Sequence, residues 1–318
     1  MSDRGAQHTQ EAAQLAQASE GEGRLEFTAN QKSWQLQLQE VLGRIPMRLF
    51  LLVVVVIWTV PTLGLLVSSF RGADAIQETG WWVALAQLFT ENWTLANYQQ
   101  VLFADGMITS FINSLLVTVP ATVIPITIAA FGAYAIAWMQ FPGREILFVM
   151  VVGLLVVPLQ MALIPVLSAY TTLGLNGTFL GIWLAHTGFG LPLATYILYG
   201  YVSGIPKEII ESAHADGATP WLMFTRLVVP LSVPAIASFA IFQFLWVWND
   251  LLVALVFLGT SPEKAVLTAK LAELVGSRGQ SWHVLTAGAF VTMILPLIVF
   301  FSLQRYFVRG MMAGSVKG

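Results

Sequence analysis

The chain has no cysteine among its 318 residues, so disulfides, thiolate catalysis and cysteine–metal sites are excluded. Charge is also scarce: Asp, Glu, Lys and Arg make up 10% of the chain, against about 25% in average soluble domains. The four histidines are scattered without metal-ligand spacing, and a net charge of −2 gives no basis for binding nucleic acid. No Gly-x-x-x-x-Gly-Lys-Ser/Thr loop occurs, so the chain is not expected to hydrolyse ATP alone.

The sequence is instead rich in apolar residues, which account for 57% of the chain. A membrane-spanning helix needs about 20 consecutive, mostly apolar residues. Six runs satisfy this, and they lie at 47–69, 108–138, 146–170, 179–202, 233–258 and 284–304. The second run contains Pro120 and Pro125, so a kinked or oblique helix is expected there. The pattern predicts an all-α, polytopic membrane protein with six transmembrane helices.

The distribution of positive charge predicts the orientation of these spans. With the N-terminus inside, 11 of the 15 Lys and Arg residues fall in inner segments and the other 4 in outer loops. Both termini are therefore expected in the cytoplasm. The predicted segments are a cytoplasmic tail (1–45, disordered apart from a short helix near 34–43), a first transmembrane helix (46–70), a periplasmic or extracellular loop (71–107), a core of five spans (108–304) and a cytoplasmic C-terminus (305–318).

A polar break at 203–230 separates the fourth and fifth spans, and it is predicted to lie in the cytoplasm. Pro206 suits the first turn of a helix over 207–216, and Gly217 suits the left-handed position that closes it. Thr219 and Pro220 are a cap and a first-turn proline for a second short helix. We expect Pro230 to end that helix, and the fifth span to begin with a new cap at Ser232 and Pro234.

The first of these short helices has the composition of a docking surface. Ser212, Ala213 and Ala215 are small enough for another protein's backbone to approach closely, with Ala213 sharing a face with Ile209. Glu208 and Glu211 offer charge to an arginine or lysine of a partner. An amphipathic helix resting on lipid is the alternative, but such helices favour basic flanks and bulky apolar groups.

Within this break, Glu211-Ser-Ala213, three residues, Gly217, nine residues and Leu227-Val-Val-Pro230 resemble the EAA loop of binding-protein-dependent ABC importer permeases. Ser212, Leu227 and Val229 depart mildly from the family pattern of EAA, three residues, G, nine residues, I-x-L-P. The chain is most similar to the maltose-type, MalG-like carbohydrate permeases. Residues 58–71 (WTVPTLGLLVSSFR) and 242–250 (FQFLWVWND) resemble the alpha-glucoside branch.

The resemblance implies a type I ABC importer permease fold in the bacterial cytoplasmic (inner) membrane. It implies four partners: a second, MalF-like permease; an ABC ATPase dimer that binds ATP and Mg²⁺; a solute-binding protein; and a sugar, an alpha-glucoside of the maltose or trehalose type. This chain itself would be non-catalytic and hold no cofactor. The residues that the resemblance assigns to ATPase coupling are Glu208, Glu211, Ser212, Ala213, Ala215, Asp216, Gly217 and Pro230.

Polar and aromatic side chains within the predicted spans are candidates for the substrate pathway. Those singled out are Asn113, Gln160, Gln243, Trp246, Trp248, Asn249 and Asp250. Neutral hydrogen-bonding groups beside aromatic rings suit a sugar better than an ion. The alternative role, hydrogen bonding between helices, is favoured for Asn113, Gln160 and His186 and is evenly balanced for Asn249 and Asp250.

Three functional questions stay open at the level of sequence. The loop at 259–283 is either a solvated connector or, as the resemblance implies, a segment that reaches into the binding protein to displace sugar. An ion-coupled secondary transporter is the alternative function, although half-span repeats and charges along a pathway are not evident. A membrane enzyme would need clustered His, Asp, Glu or Cys at one depth, and the sequence shows no such cluster.

Overall fold

The structure is a computed structural model that describes residues 43–275 and 281–313, with side chains up to residue 304. These residues are almost entirely helical, and their only β pairing is an isolated bridge between Arg71 and Trp93. The predicted all-α class is confirmed. The predicted tail helix near 34–43 and the tail up to residue 42 lie outside the described residues.

The chain divides into two compact units, one up to Gly64 and the other from Leu65 onward, and each is described by itself. In the first unit the described residues belong to helix α1 (Gly43–Ser69). Its large side chains are exposed all round: Phe50 is 63% exposed and Trp58 76%. A helix that is apolar on every face is typical of a membrane span.

The second unit begins with the segment predicted as an outer loop, which is built from short helices rather than irregular chain. They are α2 (Ala73–Glu78), α3 (Trp81–Ala86), α4 (Ala96–Gln99) and a π-helical turn at Gln100–Ala104. Helix α5 (Met107–Trp138) follows and runs as one element through Pro120 and Pro125.

The third predicted span is broken. Helix α6 (Arg144–Gly153) and a 3₁₀ turn (Leu154–Val156) are followed by α7 (Leu159–Thr172), and the two arms meet at 106°. Pro158 disfavours a helical conformation for the preceding residue. Val157 is accordingly extended, at φ −76° and ψ 116°. The span predicted at 146–170 is therefore not one straight helix.

The remaining helices are α8 (Phe179–Val202), α9 (Lys207–Ala215), α10 (Pro220–Met223), a π-helical turn (Phe224–Val228), α11 (Val229–Trp248), α12 (Leu252–Phe257), α13 (Leu267–Val275) and α14 (Trp282–Ala313). The fourth run, 179–202, matches α8. The fifth, predicted to reach 258, is interrupted after Trp248, because α12 starts only at Leu252. Helix α14 runs nine residues past the predicted end of the last span at 304.

Among the described residues, four helices are long and apolar enough to cross a bilayer: Gly43–Ser69, Met107–Trp138, Pro220–Trp248 and Trp282–Gln304. The bent pair α6–α7 makes a fifth if its arms together form one span. Helix α8 has 24 residues, or about 36 Å, which is long enough, but polar and glycine residues dilute its apolar sequence. The six-span count and the cytoplasmic termini remain predictions.

Helices α5, α8, α11 and α14 form the body of the second unit. Helix α5 packs along α8, and α11 packs against α5, α8 and α14. At one end of this bundle a buried apolar cluster includes Leu198, Val202, Ile210, Phe224 and Phe239. At the opposite end another includes Met107, Trp248, Leu267 and Val284. The first cluster holds the polar break against the bundle.

Candidate functional site: the helical foot and the polar groups of the bundle

The first half of the polar break folds as its residues predict. Pro206 is extended at ψ 133° and precedes α9, which ends at Ala215. Gly217 has φ +78°. A residue with a Cβ atom is strained in this left-handed conformation, so glycine is needed to turn the chain away from α9. We call residues 203–223, which contain α9 and α10, the foot.

The second half of the break differs from the prediction. Thr219 does cap α10, since its Oγ1 accepts a 3.3 Å hydrogen bond from the Leu222 amide. Pro230, however, does not end the helix, because α10, the π-helical turn and α11 form one continuous helix, Pro220–Trp248. Pro230 lies in the first turn after the π-helical turn, where its missing N–H is tolerated. No new helix begins at Ser232.

Helix α9 of the foot is attached through one buried apolar side chain. Ile210 is 5% exposed and belongs to the cluster that contains Val202, Met223 and Phe224. Ala213 packs at the edge of that cluster, whereas Ile209 is 39% exposed. Ile209 and Ala213 lie one turn apart as expected, but Ala213 is partly buried against the cluster and Ile209 is not. Residues 210 and 213, three apart, mark the face that contacts the bundle.

The opposite side of α9 is exposed and polar. The exposed residues include Glu208, Glu211, Ser212, Ala215 and Asp216, all of them predicted coupling residues. Lys207 Nζ lies 2.8 Å from Glu211 Oε1, and Ser212 Oγ donates to the Glu208 carbonyl at 2.8 Å. Both of these contacts lie within α9, and the exposed side chains leave this surface accessible to a partner.

Three of the seven predicted pathway residues do not share a common site. Two of them form hydrogen bonds that join separate elements, and the third is exposed. Asn113 Nδ2 donates to the carbonyls of Glu263 (2.8 Å) and Ala265 (3.1 Å), which ties α5 to the loop after α12. Trp248 is buried and its Nε1 donates to the Thr292 carbonyl at 3.0 Å. Gln160 is exposed on α7.

The other four pathway residues lie in the last turns of α11 or directly after it. Gln243 is fully buried and its Nε2 donates to the Ala121 carbonyl at 3.1 Å. Asn249 is exposed, and its Nδ2 donates to the Leu245 carbonyl at 2.7 Å. Asp250 Oδ2 accepts from the Ala254 amide at 3.0 Å and so caps α12.

One small cluster brings two pathway candidates together with His186. Asp250 Oδ2 lies 3.9 Å from His186 Nε2, and the ring of Trp246 meets the His186 ring edge-on at 5.5 Å. Gly190, one turn along α8, permits the close approach of Gln243, because a Cβ there would lie 2.6 Å from the Gln243 amide. Gln243, Trp246 and Asp250 therefore pack against α8. Asn113 on α5 and Gln160 on α7 lie on other elements, so the candidates are spread over several helices. Within the described chain, no group of three or more His, Cys, Asp or Glu side chains is placed to hold a metal.

Comparison with known proteins identifies the family. Residues 107–313 match the family described as "Binding-protein-dependent transport system inner membrane component". The chain belongs to this permease family. The match spans α5 to α14 and therefore includes the foot and the cluster that anchors it.

Relatives and solved structures extend this result. The permease is 59% identical to the "Osmoprotective compounds uptake permease protein GgtD" of Synechocystis sp., over 86% of this chain and 92% of the relative. It is 45% identical to the "Alpha-glucoside transport system permease protein AglG" of Rhizobium meliloti, over 85% of this chain and 96% of the relative. A chain in the crystal structure of a bacterial ABC transporter that imports alginate has the same fold, with a TM-score of 0.70 and 22% identity over 85% of this chain and 97% of that chain.

One organising residue of the permease was missed by sequence reasoning. Arg71, counted only as an outer-loop charge, is 1% exposed. Its Nε donates to Glu91 Oε1 at 2.9 Å, and its other nitrogens donate to the carbonyls of Thr79 (3.0 Å) and Ala75 (2.9 Å) and to the Thr79 hydroxyl. Asn97 Nδ2 donates to the Arg71 carbonyl at 2.8 Å. The sequence feature that could have indicated this buried role is a lone arginine directly after an apolar run, with a glutamate further along the segment.

Proposed function

We propose that this permease is the membrane subunit of an ATP-driven, binding-protein-dependent importer of neutral alpha-glucosides. The observation that carries the proposal is the foot, in which Ile210 anchors α9 to the bundle. The acidic side chains of α9 and its small residues Ser212 and Ala215 are exposed. A surface of this kind is suited to a rigid contact with another protein. The family match and the alpha-glucoside relative support the class of transporter and of solute.

In this proposal the foot couples the bundle to an ABC ATPase dimer in the cytoplasm. ATP and Mg²⁺ bind to the ATPase subunits, and closure of their dimer moves the foot. Glu208 and Glu211 meet basic groups of the ATPase, and Ser212, Ala213 and Ala215 allow close approach. Gly217 sets the turn by which α9 and α10 move as one body. Two docked surfaces that move together switch a bundle between two arrangements.

The proposal includes three further partners. A second permease of the same family completes the pore in the bacterial cytoplasmic membrane, and a solute-binding protein delivers the sugar on the outer side. One of the solved alginate-transporter structures is described as a complex with a pentasaccharide-bound periplasmic protein, which supports this arrangement. The permease contributes no catalytic group of its own, since it has no phosphate-binding loop.

Replacement of Glu211 by lysine tests this function. The permease, its ATPase, a second permease and the binding protein are reconstituted in liposomes, and uptake of labelled maltose and trehalose is measured together with ATP hydrolysis. Glu211→Lys places like charge against the ATPase, so we expect at least a tenfold loss of uptake. Glu78→Lys, an exposed carboxylate on α2, is the matched control and should transport normally.

Two results contradict the proposal. Normal uptake by Glu211→Lys rules out the docking role of this carboxylate. Sugar uptake by the permease alone, driven by an ion gradient without the ATPase, supports the ion-coupled transporter instead.

A further inference from the structure

A cavity of about 540 Å³ lies at the end of the bundle opposite the foot. It is lined by the start of α5, the loop after α12 and the first turns of α13, and it is partly open to the outside. Its polar lining consists of Asp105, Thr109, Ser110, Thr260, Glu263, Lys270 and Glu273, and its walls are completed by small and aliphatic side chains. None of these residues belongs to the foot or to the predicted pathway.

The rim of this cavity is fixed by hydrogen bonds from other elements. The loop after α12 is held to α5 by the two bonds from Asn113, and Ser114 Oγ accepts from the Leu267 amide at 2.8 Å. Lys264 Nζ donates to the Gly177 carbonyl at 2.6 Å, which ties the same loop to the start of α8. A loop held at three places forms a preorganised wall, unlike a solvated connector.

The carboxylates of the cavity can accept hydrogen bonds from a ligand. Lys270 Nζ is engaged by Glu273 Oε2 at 2.7 Å. Asp105 Oδ2 is buried, yet within the described chain it accepts no hydrogen bond. A buried acceptor without a partner costs roughly 1–3 kcal/mol, and a ligand that donates a hydrogen bond there recovers that energy. Thr109, two residues into α5, offers a hydroxyl beside it.

The charge of the lining and the volume of the cavity indicate which class of ligand can bind. Three carboxylates line the cavity against one ammonium group that is already paired, so the site disfavours anions. Its volume lies in the usual range for small-molecule sites, about 300–1,000 Å³, and exceeds what a water molecule or a bare ion needs. A molecule with several hydroxyls and no negative charge provides donors for the carboxylates and fits the aliphatic walls.

We propose that this cavity binds one or two sugar rings of the uncharged solute at the outer end of the permease, with Asp105 and Thr109 as hydrogen-bonding residues. The identity of the solute class rests on the proposed function. The same negative lining discriminates against sugars that carry carboxylates. The cavity is therefore a selectivity site through which neutral sugars are admitted ahead of uronic acids.

The test measures sugar binding directly, in the permease assembled with its ATPase and second permease but without the solute-binding protein. Saturation-transfer NMR uses maltose and trehalose as neutral probes and a glucuronic acid disaccharide as the anionic probe. We expect transfer to the neutral probes and none to the anionic one. Asp105→Ala should reduce the neutral signal at least fivefold and Thr109→Val severalfold, whereas the matched control Glu78→Gln on α2 should leave it unchanged.

Each other outcome overturns the proposal. Equal signals from Asp105→Ala, Thr109→Val and the unmodified permease remove the cavity as the binding site, and equal signals from neutral and anionic probes remove the selectivity. If the variants keep the sugar signal but weaken chemical cross-linking to the binding protein, the cavity is a protein-docking site. In all these cases sugar-stimulated ATP hydrolysis by the unmodified complex persists, whereas failure of the proposed function would abolish it.

Discussion

Two polar segments interrupt the apolar sequence of this permease, and they use their charges in opposite ways. In the segment after α1, Arg71 turns inward and is surrounded by Glu91 and by backbone carbonyls. In the foot, Lys207 and Glu211 are 74% and 62% exposed and pair only along the surface of α9. The first segment is stabilised by its charges, whereas in the second α9 is held by Ile210 and its charges stay exposed.

This difference separates a structural loop from the proposed docking loop on physical grounds. A buried guanidinium is tolerated only where several acceptors surround it, so its position is fixed by the fold. An exposed ion pair contributes little to stability, so its side chains are free to exchange one partner for another. Three substitutions test the comparison, in order of decreasing effect.

Arg71→Met should cause the largest loss of stability, because Glu91 and two carbonyls would remain buried without their donor. Removing one partner of a buried ion pair typically costs about 3–5 kcal/mol. The unfolding midpoint of the purified permease in mild detergent, followed by tryptophan fluorescence, measures the loss. Arg226→Met, which changes an exposed arginine, should alter stability by less than about 0.5 kcal/mol. Equal shifts for the two variants would show that the Arg71 network is not structural.

Ile210→Ala should loosen the foot, because it removes the buried side chain that holds α9 to the bundle. Truncation of a buried isoleucine costs about 2–5 kcal/mol, and this loss should be local to the foot. Hydrogen exchange of the α9 amides should therefore become much faster. Ile209→Ala, at the neighbouring exposed position, should change the exchange little. If both variants exchange at the same rate, the anchor has been assigned to the wrong residue.

The Lys207–Glu211 pair should have the smallest effect, and its pH dependence has a definite sign. A hydrogen bond and charge from Glu211 raise the pKa of Lys207 above its ordinary 10.5. A pKa raised by folding means that the stabilising contribution is fully present below pH 10.5 and is lost as the pH rises through the higher folded value. Near neutral pH the foot should therefore be insensitive to pH.

An NMR titration of the lysine side chains checks this expectation. In Glu211→Gln the Lys207 pKa should fall towards its ordinary value, while Glu78→Gln should leave it in place. A Lys207 pKa that is unchanged by Glu211→Gln would contradict the pairing.

Much of the fold was predictable because the membrane imposes strong rules on sequence. Apolar runs identified α1, α5, α8 and α14, and cap and turn residues identified α9, Gly217 and Thr219. These features depend on local chemistry, which a sequence displays directly. The matched family confirms the resemblance that the spacing from Glu211 to Pro230 indicated.

The errors arose where neighbouring segments decide the outcome. Pro158 bends one predicted span by 106°, whereas Pro230 sits inside a continuous helix, and the residue type alone does not distinguish these cases. Pro120, Pro125 and Pro192 also lie inside continuous helices, so a proline in an apolar run does not by itself mark a break. Likewise, Asn113 and Trp248 bond to backbone carbonyls that are distant in sequence. For Asn113 this agrees with the packing role favoured above, whereas Trp248 was named only as a pathway candidate.

The continuous helix from Pro220 to Trp248 has a mechanical consequence. Its 29 residues span about 43 Å, so a single continuous helix joins the foot to the far end of the bundle. A hinge at Pro230 would have let the foot swing while the membrane portion stayed still. Without that hinge, a rotation of the helix at Trp221 would be transmitted along the helix to Trp248. A small movement of the foot would then reorient side chains at the other end of the bundle.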